Sequence, residues 1–324
     1  MNGTPRHLVD LLGLERAWVI RLFERAEALR ERRGTPEAPR PLAGCTAALV
    51  FHKPSLRTRV SFTAGMHELG GDVVDLSGSE VQEHGRESLE DVAHVLSSMS
   101  QLIVIRTFAH RIVQRLAANA GVPVINALTD FSHPCQILSD LYTLWRRGRD
   151  IDRMTLAWIG DGNNVLNSWL EAAMIFGFTL QIAVPDGFEP DAGLFLEAEK
   201  RAGGGVRRFR EPSEAMRGAD VVYSDAWTSM GQEKEADWRR VVFAGYRIDD
   251  ALMGHATPDA LFMHCLPAHR GEEVTDAVLD GPQSIVIEQA ENRLHLQKAL
   301  MEALVEANRA GRAVGAQAVG AGRS

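Results

Sequence analysis

The chain has 324 residues, 45% of them hydrophobic and 24% charged, with no low-complexity block, a length that suits two domains better than one. Its net charge of −8 argues against general nucleic-acid binding, which shows as a basic balance or stripe. Cys45, Cys135 and Cys265 are odd in number and far apart, so they fit neither a disulfide framework nor a C-x-x-C metal site.

The opening residues hold no basic stretch followed by an apolar core, so no secretory signal is expected. The most apolar window, 165–185, is broken by Asn167, Ser168, Glu171 and Gln181 and does not read as a membrane span. The expectation is a reduced, cytoplasmic protein with no metal and no cofactor. Val19, Leu22, Phe23, Ala26 and Leu29 recur at helical spacing, and CTAALVF (45–51) reads as a buried strand. A helix is expected from near Arg57. DVVDL (72–76) precedes a helix with Leu89, Val92, Ala93, Leu96 and Met99 on one face. LIVIR (102–106) leads to a helix near 110–120, and VPVIN (122–126) to a helix from about 134.

The second half repeats the alternation with TLAWIG (155–160), TLQIAV (179–184), DVVYS (220–224), LFMH (261–264) and SIVI (284–287) as strands. Strands alternating with helices imply an α/β protein with parallel sheets, and nine candidate strands imply two such domains. The polar stretch RRGRDIDR (146–153) marks the expected boundary, and the small, polar tail after residue 310 is expected to fray. Ligands of open parallel sheets bind beyond the carboxyl ends of the strands. The polar residues there fall into two groups, one per domain, and a cleft between the domains would take one substrate from each side.

SLRTR (55–59) stands between a strand and a helix start. Free N–H groups and the positive helix end favour phosphate there, Ser55 and Thr58 add hydroxyls, and Arg57 can chelate two oxygens. The plainer alternative is a Ser55 helix cap beside solvated arginines. No G-x-x-x-x-G-K-[ST] occurs, which excludes a P-loop. In FSHPCQ (131–136), His133 and Gln136 share one face of a first helical turn and suit a carbonyl oxygen; a capping histidine and a surface glutamine are the other reading. GDGNN (160–164) offers Gly160 and Gly162 of a dinucleotide fingerprint with Asp186 as the ribose acid, but Val165 replaces the third glycine. Asn164 presenting an amide to a small polar ligand is the alternative. In SDAWTSMG (224–231), Asp225 can bind an ammonium and the turn at Ser229-Met230-Gly231 a carboxylate, against an Asx-turn and a loop methionine. Cys265 in MHCLPAHRGEEVTD (263–276) follows a strand; packing is the plainer role for such a thiol.

Taken together and in order, SLRTR, HPCQ, GDGNN, D-x-x-x-SMG, HCLP-x-HRGEEVTD and AENRLHLQKAL resemble the aspartate/ornithine carbamoyltransferase family, over residues 40–305. The resemblance implies carbamoyl phosphate and L-ornithine as substrates, and citrulline and phosphate as products. It implies two domains, each a parallel β-sheet flanked by helices, the first (1–145) for carbamoyl phosphate and the second (150–288) for ornithine. A C-terminal helix from about residue 290 returns to the first domain. Ser55, Leu56, Arg57, Thr58, Gln82, Arg106, His133, Gln136, Cys265, Leu266 and Arg293 match the carbamoyl-phosphate set. Asn164, Asp225, Ser229 and Met230 match the ornithine set, and Arg106, His133 and Cys265 are the implied catalytic residues. Gln82 lies in a loop that the resemblance places near a neighbouring subunit of a homotrimer. Acetylornithine and putrescine are alternative acceptors, and a nicotinamide-dependent dehydrogenase is the alternative of another class. Two positions depart from the pattern: His52 stands where many relatives carry an acid, and Leu56 replaces the commoner threonine.

Overall fold

The computed structural model describes residues 3–78, 81, 87–202, 205–229 and 231–321. In chain order the elements are α1 (Arg16–Glu31), β1 (Thr46–Phe51), α2 (Leu56–Glu68), β2 (Asp72–Ser77), α3 (Leu89–Met99), β3 (Leu102–Arg106), α4 (His110–Asn119), β4 (Val124–Leu128) and α5 (Pro134–Arg146). They continue with β5 (Thr155–Ile159), α6 (Asn164–Phe176), β6 (Thr179–Ala183), α7 (Ala192–Arg201), β7 (Val206–Phe209), α8 (Pro212–Ala215), β8 (Val221–Ser224) and α9 (Ala236–Val242). The last are α10 (Asp250–Met253), β9 (Leu261–His264), α11 (Asp276–Leu279) and α12 (Val286–Ala321).

The chain divides into two units, Met1–Leu138 with Arg293–Ser324, and Ser139–Asn292. The first holds a four-stranded sheet in the order β2-β1-β3-β4 and the second a five-stranded sheet in the order β7-β6-β5-β8-β9. All pairings are parallel. In each sheet the winding reverses between two adjacent strands, β1 and β3 in the first, β5 and β8 in the second. Crevices open beyond the carboxyl ends of strands at such a reversal. The segment that follows β1 carries Ser55–Thr58, β3 ends on Arg106, and the segments that follow β5 and β8 carry Asn164 and Asp225–Ser229.

The core strands are continuous apolar runs because helices cover both faces: Ala47, Ala48, Leu49 and Val50 of β1 are buried, as are Leu102 to Ile105 of β3. In the first unit Val50, Ile103 and Ile105 pack with Val92, Val113 and Leu116 from α3 and α4. In the second, Ile159, Val222 and Phe262 pack with Met216, Ile248 and Val278. Helix α1 buries Val19, Leu22, Phe23, Ala26 and Leu29 as their spacing requires. The C-terminal helix α12 contributes Arg293 and all that follows to the first unit.

Three expectations are corrected. Residues 284–287 are not a strand: Ser284 forms a single bridge with Phe262, and α12 starts at Val286. A short β-branched run is ambiguous by pattern, and here Ile285 and Val286 are buried at a helix entrance. The ninth strand is β7, in which Arg207 and Arg208 are exposed; an edge strand of that kind lacks an apolar signature. Met99 is 73% exposed, so the apolar face of α3 ends with Leu96, which packs partly against the core.

Candidate active site

In the first unit the segment from Lys53 to Arg59 is held from several sides. Pro54 follows β1, and α2 begins at Leu56 with Ser55 as its N-cap in extended backbone; the Ser55 hydroxyl takes no capping hydrogen bond. A serine that leaves its cap unmade keeps its hydroxyl for another acceptor. Leu56 is 75% exposed, so its side chain supplies no core contact. Arg57 is half-buried, and among the described residues it has no hydrogen bond or ion pair. Arg59 belongs elsewhere: it pairs with Asp75 and lies over the Phe51 ring.

Thr58 is fully buried, and its Oγ1 accepts from Arg293 Nη2 at 2.7 Å and from Arg106 Nη1 at 3.4 Å. Two guanidiniums converging on one hydroxyl repel each other, an arrangement that an anion relieves. Arg106 ends β3 where the register against β4 shifts between Ile105 and Arg106. His133 and Gln136 are both buried at the start of α5. Burial, then Arg293 and Arg106, holds the His133 imidazole well below its usual range, so it is neutral near pH 7. Neighbouring Cys135 donates to the Asn126 carbonyl oxygen, and burial pushes its thiol up to about 12, which leaves it inert. Lys53 is buried with Nζ 2.5 Å from Asp130 Oδ1, joining the loop after β1 to the loop before α5. His52 bonds the Val81 carbonyl oxygen through Nε2. Gln82 lies outside the described residues.

In the second unit Asp225 is the hub. Its Oδ2 accepts from Asn163 Nδ2 at 2.7 Å, and its Oδ1 from the Ala226 N–H at 2.8 Å and the Cys265 thiol at 2.9 Å. Asn163 is also the N-cap of α6, its Oδ1 accepting from Val165 and Leu166, so one side chain ends a helix and orients the carboxylate. Sequence reading passed over Asn163 for Asn164, the first helical residue; Asn before an apolar run was the available signal. Leu266 has a positive φ of 57°, rare for a branched residue, and its N–H donates to His264 Nδ1 at 2.9 Å. The His264 N–H donates to Gln289 Oε1, and Gln289 joins Tyr223 and Asp140 in a buried network.

Ser229 and Gly231 do not present bare amides. The Ser229 N–H donates to Gln232 Oε1 and that of Gly231 to Glu233 Oε1, so a carboxylate bound there would displace side chains of the same turn. Met230 lies outside the described residues. Asp225, His264 and Cys265 offer ligand atoms within 4.8 Å of one another, as do His269, Glu272 and Glu273. Protein groups already engage members of both sets: Cys265 and Asp225 bond each other, and Glu272 takes Arg240.

The dinucleotide reading fails on space. A Cβ at Gly162 would lie 2.3 Å from the Phe188 carbonyl oxygen, and the Gly162 N–H donates to that oxygen. Protein backbone therefore fills the approach that a pyrophosphate needs. Asp186 is ion-paired with Arg208 and Arg210.

Two family models match this chain in turn. The model of the carbamoyl-phosphate-binding domain of aspartate/ornithine carbamoyltransferases matches residues 6–146, and that of the Asp/Orn-binding domain matches residues 152–304. An ornithine carbamoyltransferase of Chlorobaculum tepidum is 46% identical over 308 residues, 94% of this chain and 91% of that one. The solved enzyme of Pyrococcus furiosus is 43% identical with a TM-score of 0.89, covering 93% of this chain and 97% of its own. That of Burkholderia thailandensis is 44% identical with a TM-score of 0.85, over 93% and 99%. Carried by both halves of its fold and nearly its whole length, this chain belongs to the aspartate/ornithine carbamoyltransferase family.

Proposed function

We propose that this protein transfers the carbamoyl group of carbamoyl phosphate to the δ-amine of L-ornithine, giving L-citrulline and phosphate. The observation that carries the reading is the Thr58 hydroxyl with two arginines upon it, beside a neutral buried histidine. The carbamoyl-phosphate domain is read as 1–145 with the helix from about 290, and the ornithine domain as 150–288; they correspond to the first and second units, whose bounds differ by several residues. Ser55, Leu56 through its N–H, Arg57, Arg106 and Arg293 take the phosphate. Thr58, Arg106 and His133 donate to the carbamoyl oxygen, Gln136 meets the carbamoyl amide, and Leu266 belongs with Cys265 to the motif beside the reacting amine.

The geometry suits the chemistry. Both lone pairs of Thr58 Oγ1 are engaged by guanidiniums, which leaves its O–H as a donor. A neutral His133 donates one N–H without adding charge to the ground state. The amine attacks the carbonyl carbon, the C–N bond forms, charge grows on the oxygen, and the C–O bond to phosphate breaks with the electron pair leaving on phosphate, which takes up the proton the attacking nitrogen sheds. Preorganised donors aimed at that oxygen lower the barrier. Ornithine's δ-ammonium must first lose a proton, since such amines titrate near ~10.4. Asp225, with Asn164, Ser229 and Met230, holds the α-amino-acid end, and Cys265 lies against Asp225 beside the reacting amine. The working protein is read as a cytoplasmic homotrimer, and the family resemblance assigns Gln82 to a neighbour's carbamoyl-phosphate set. No helix among the described residues is long and apolar enough to cross a membrane.

The test is a citrulline-formation assay with ornithine, acetylornithine, putrescine and aspartate side by side. Ornithine is expected to be the best acceptor; putrescine outrunning it would overturn the assignment of the Asp225–Ser229 loop.

A further inference from the structure

A buried polar cluster left without a task by this reading lies in the second unit, bonded to both ends of the turn that carries Ser229. Arg239 of α9 and Asp161 after β5 have side chains only 7% and 9% exposed, with Nη1 3.0 Å from Oδ2. The same Nη1 donates to the Trp227 carbonyl oxygen at 2.8 Å, and Nε donates to Glu235 Oε2 at 3.1 Å. The guanidinium carbon stands 4.8 Å from the centroid of the Phe188 ring. One side chain thus joins three segments: the residue two before Ser229, the residue that leads into α9, and the loop after β5. Between Trp227 and Glu235 the turn is closed by Gln232 N–H to Ser229 O at 3.0 Å and Glu235 N–H to Gln232 O at 2.9 Å.

A buried ion pair is weak evidence for stability, because apolar residues of similar volume often serve as well or better. Its fixed fork is better suited to defining geometry. Asp161 sits three residues before Asn164, and Trp227 sits two residues after Asp225, so the clamp spans the sequence neighbours of the acceptor set. We propose that Arg239 is a positioning residue for the acceptor amino acid, holding Trp227 and Glu235 against Asp161 so that Ser229 is placed to meet it. This rests on the reading of Asp225 and Ser229 as ornithine residues.

Arg239→Lys keeps the charge opposite Asp161 but replaces the fork by a point donor that cannot reach all three acceptors. It is expected to fold and to raise the KM for ornithine at least about fivefold, with the KM for carbamoyl phosphate within about twofold of the parent. Glu235→Gln, at a carboxylate 52% exposed, leaves an amide oxygen that can still accept from Nε but takes the charge from this tie, and is expected to raise the ornithine KM in the same direction by about twofold. An unchanged ornithine KM in Arg239→Lys, or an equal rise in both KM values, overturns the inference. Should Arg239→Lys not fold, Glu235→Gln decides alone, and no change there overturns it. Asp225→Asn serves as the control: a raised ornithine KM there with none in Arg239→Lys removes this inference only, whereas no rise in Asp225→Asn removes the ornithine assignment and the inference with it.

Discussion

At the scale of single residues, the charges around Thr58 decide most. Arg57→Ala removes a half-buried guanidinium, and loss of charge-assisted contacts of about 1.5–3 kcal/mol each should lower kcat/KM at least about tenfold. A variant within twofold of the parent would end the phosphate role of Arg57. The depressed His133 has a consequence for pH. An imidazole in the unfolded chain protonates near ~6.5; in the fold it does so only far lower, so below pH ~6.5 the unfolded state binds more protons. Its contribution to stability is therefore full above ~6.5 and is lost progressively as pH falls from there toward the much lower pKa of the folded state. His7, lowered to about 4 by burial and then by Arg6, acts with the same sign. Denaturant titrations at pH 7.5 and 5.5 should show lower stability at 5.5, and His133→Asn should reduce that difference. Imidazole NMR of His133 should report a neutral ring across pH 6–8.

Elements carry the site through their ends. Helix α6 begins at Asn163, whose carboxamide oxygen caps two N–H groups while its nitrogen holds Asp225. Asn163→Ala should cost about 1 kcal/mol as a lost cap and also raise the KM for ornithine, which an ordinary cap would not do; equal KM values in parent and variant would separate the two roles. Gly162 serves a different end of the same loop. Its hydrogen gives the Phe188 carbonyl the room that a methyl would take, at 2.3 Å from the oxygen. Gly162→Ala should destabilise the second unit by about 1–3 kcal/mol, the cost of forcing packed atoms apart, measured as a fall in Tm. Strands were the most legible elements, because their covered faces leave unbroken apolar runs such as LIVIR. The exceptions are physical: β7 is a charged edge, and residues 284–287 lead into a helix.

On the scale of the whole molecule, the proposed trimer has a direct test. If Gln82 completes a neighbour's site, Gln82→Ala and Arg57→Ala chains, each inactive alone, should regain partial activity when mixed and reassembled. Heterologous contacts closing a ring of three would give some sites an intact loop and an intact pocket. No rescue under verified subunit exchange, or a fully active monomer, would refute sharing and leave the transfer chemistry untouched.

By itself the sequence determined the architecture of two parallel sheets and the chemical types at the strand ends, because periodicity, turn residues and short motifs are local properties of the chain. It also carried the family, through ordered motifs from SLRTR to AENRLHLQKAL. Pairings between distant segments were decided only in three dimensions. Arg293 meets Thr58 across 235 positions, Cys265 meets Asp225 across 40, and Arg239 meets Asp161 across 78. Arg59, by contrast, sits two residues from Arg57 and pairs with an aspartate of β2 instead. The neutrality of His133 likewise comes from burial beside arginines that are remote in sequence. Such properties depend on which groups share a small, dry volume, and only folding brings them into it.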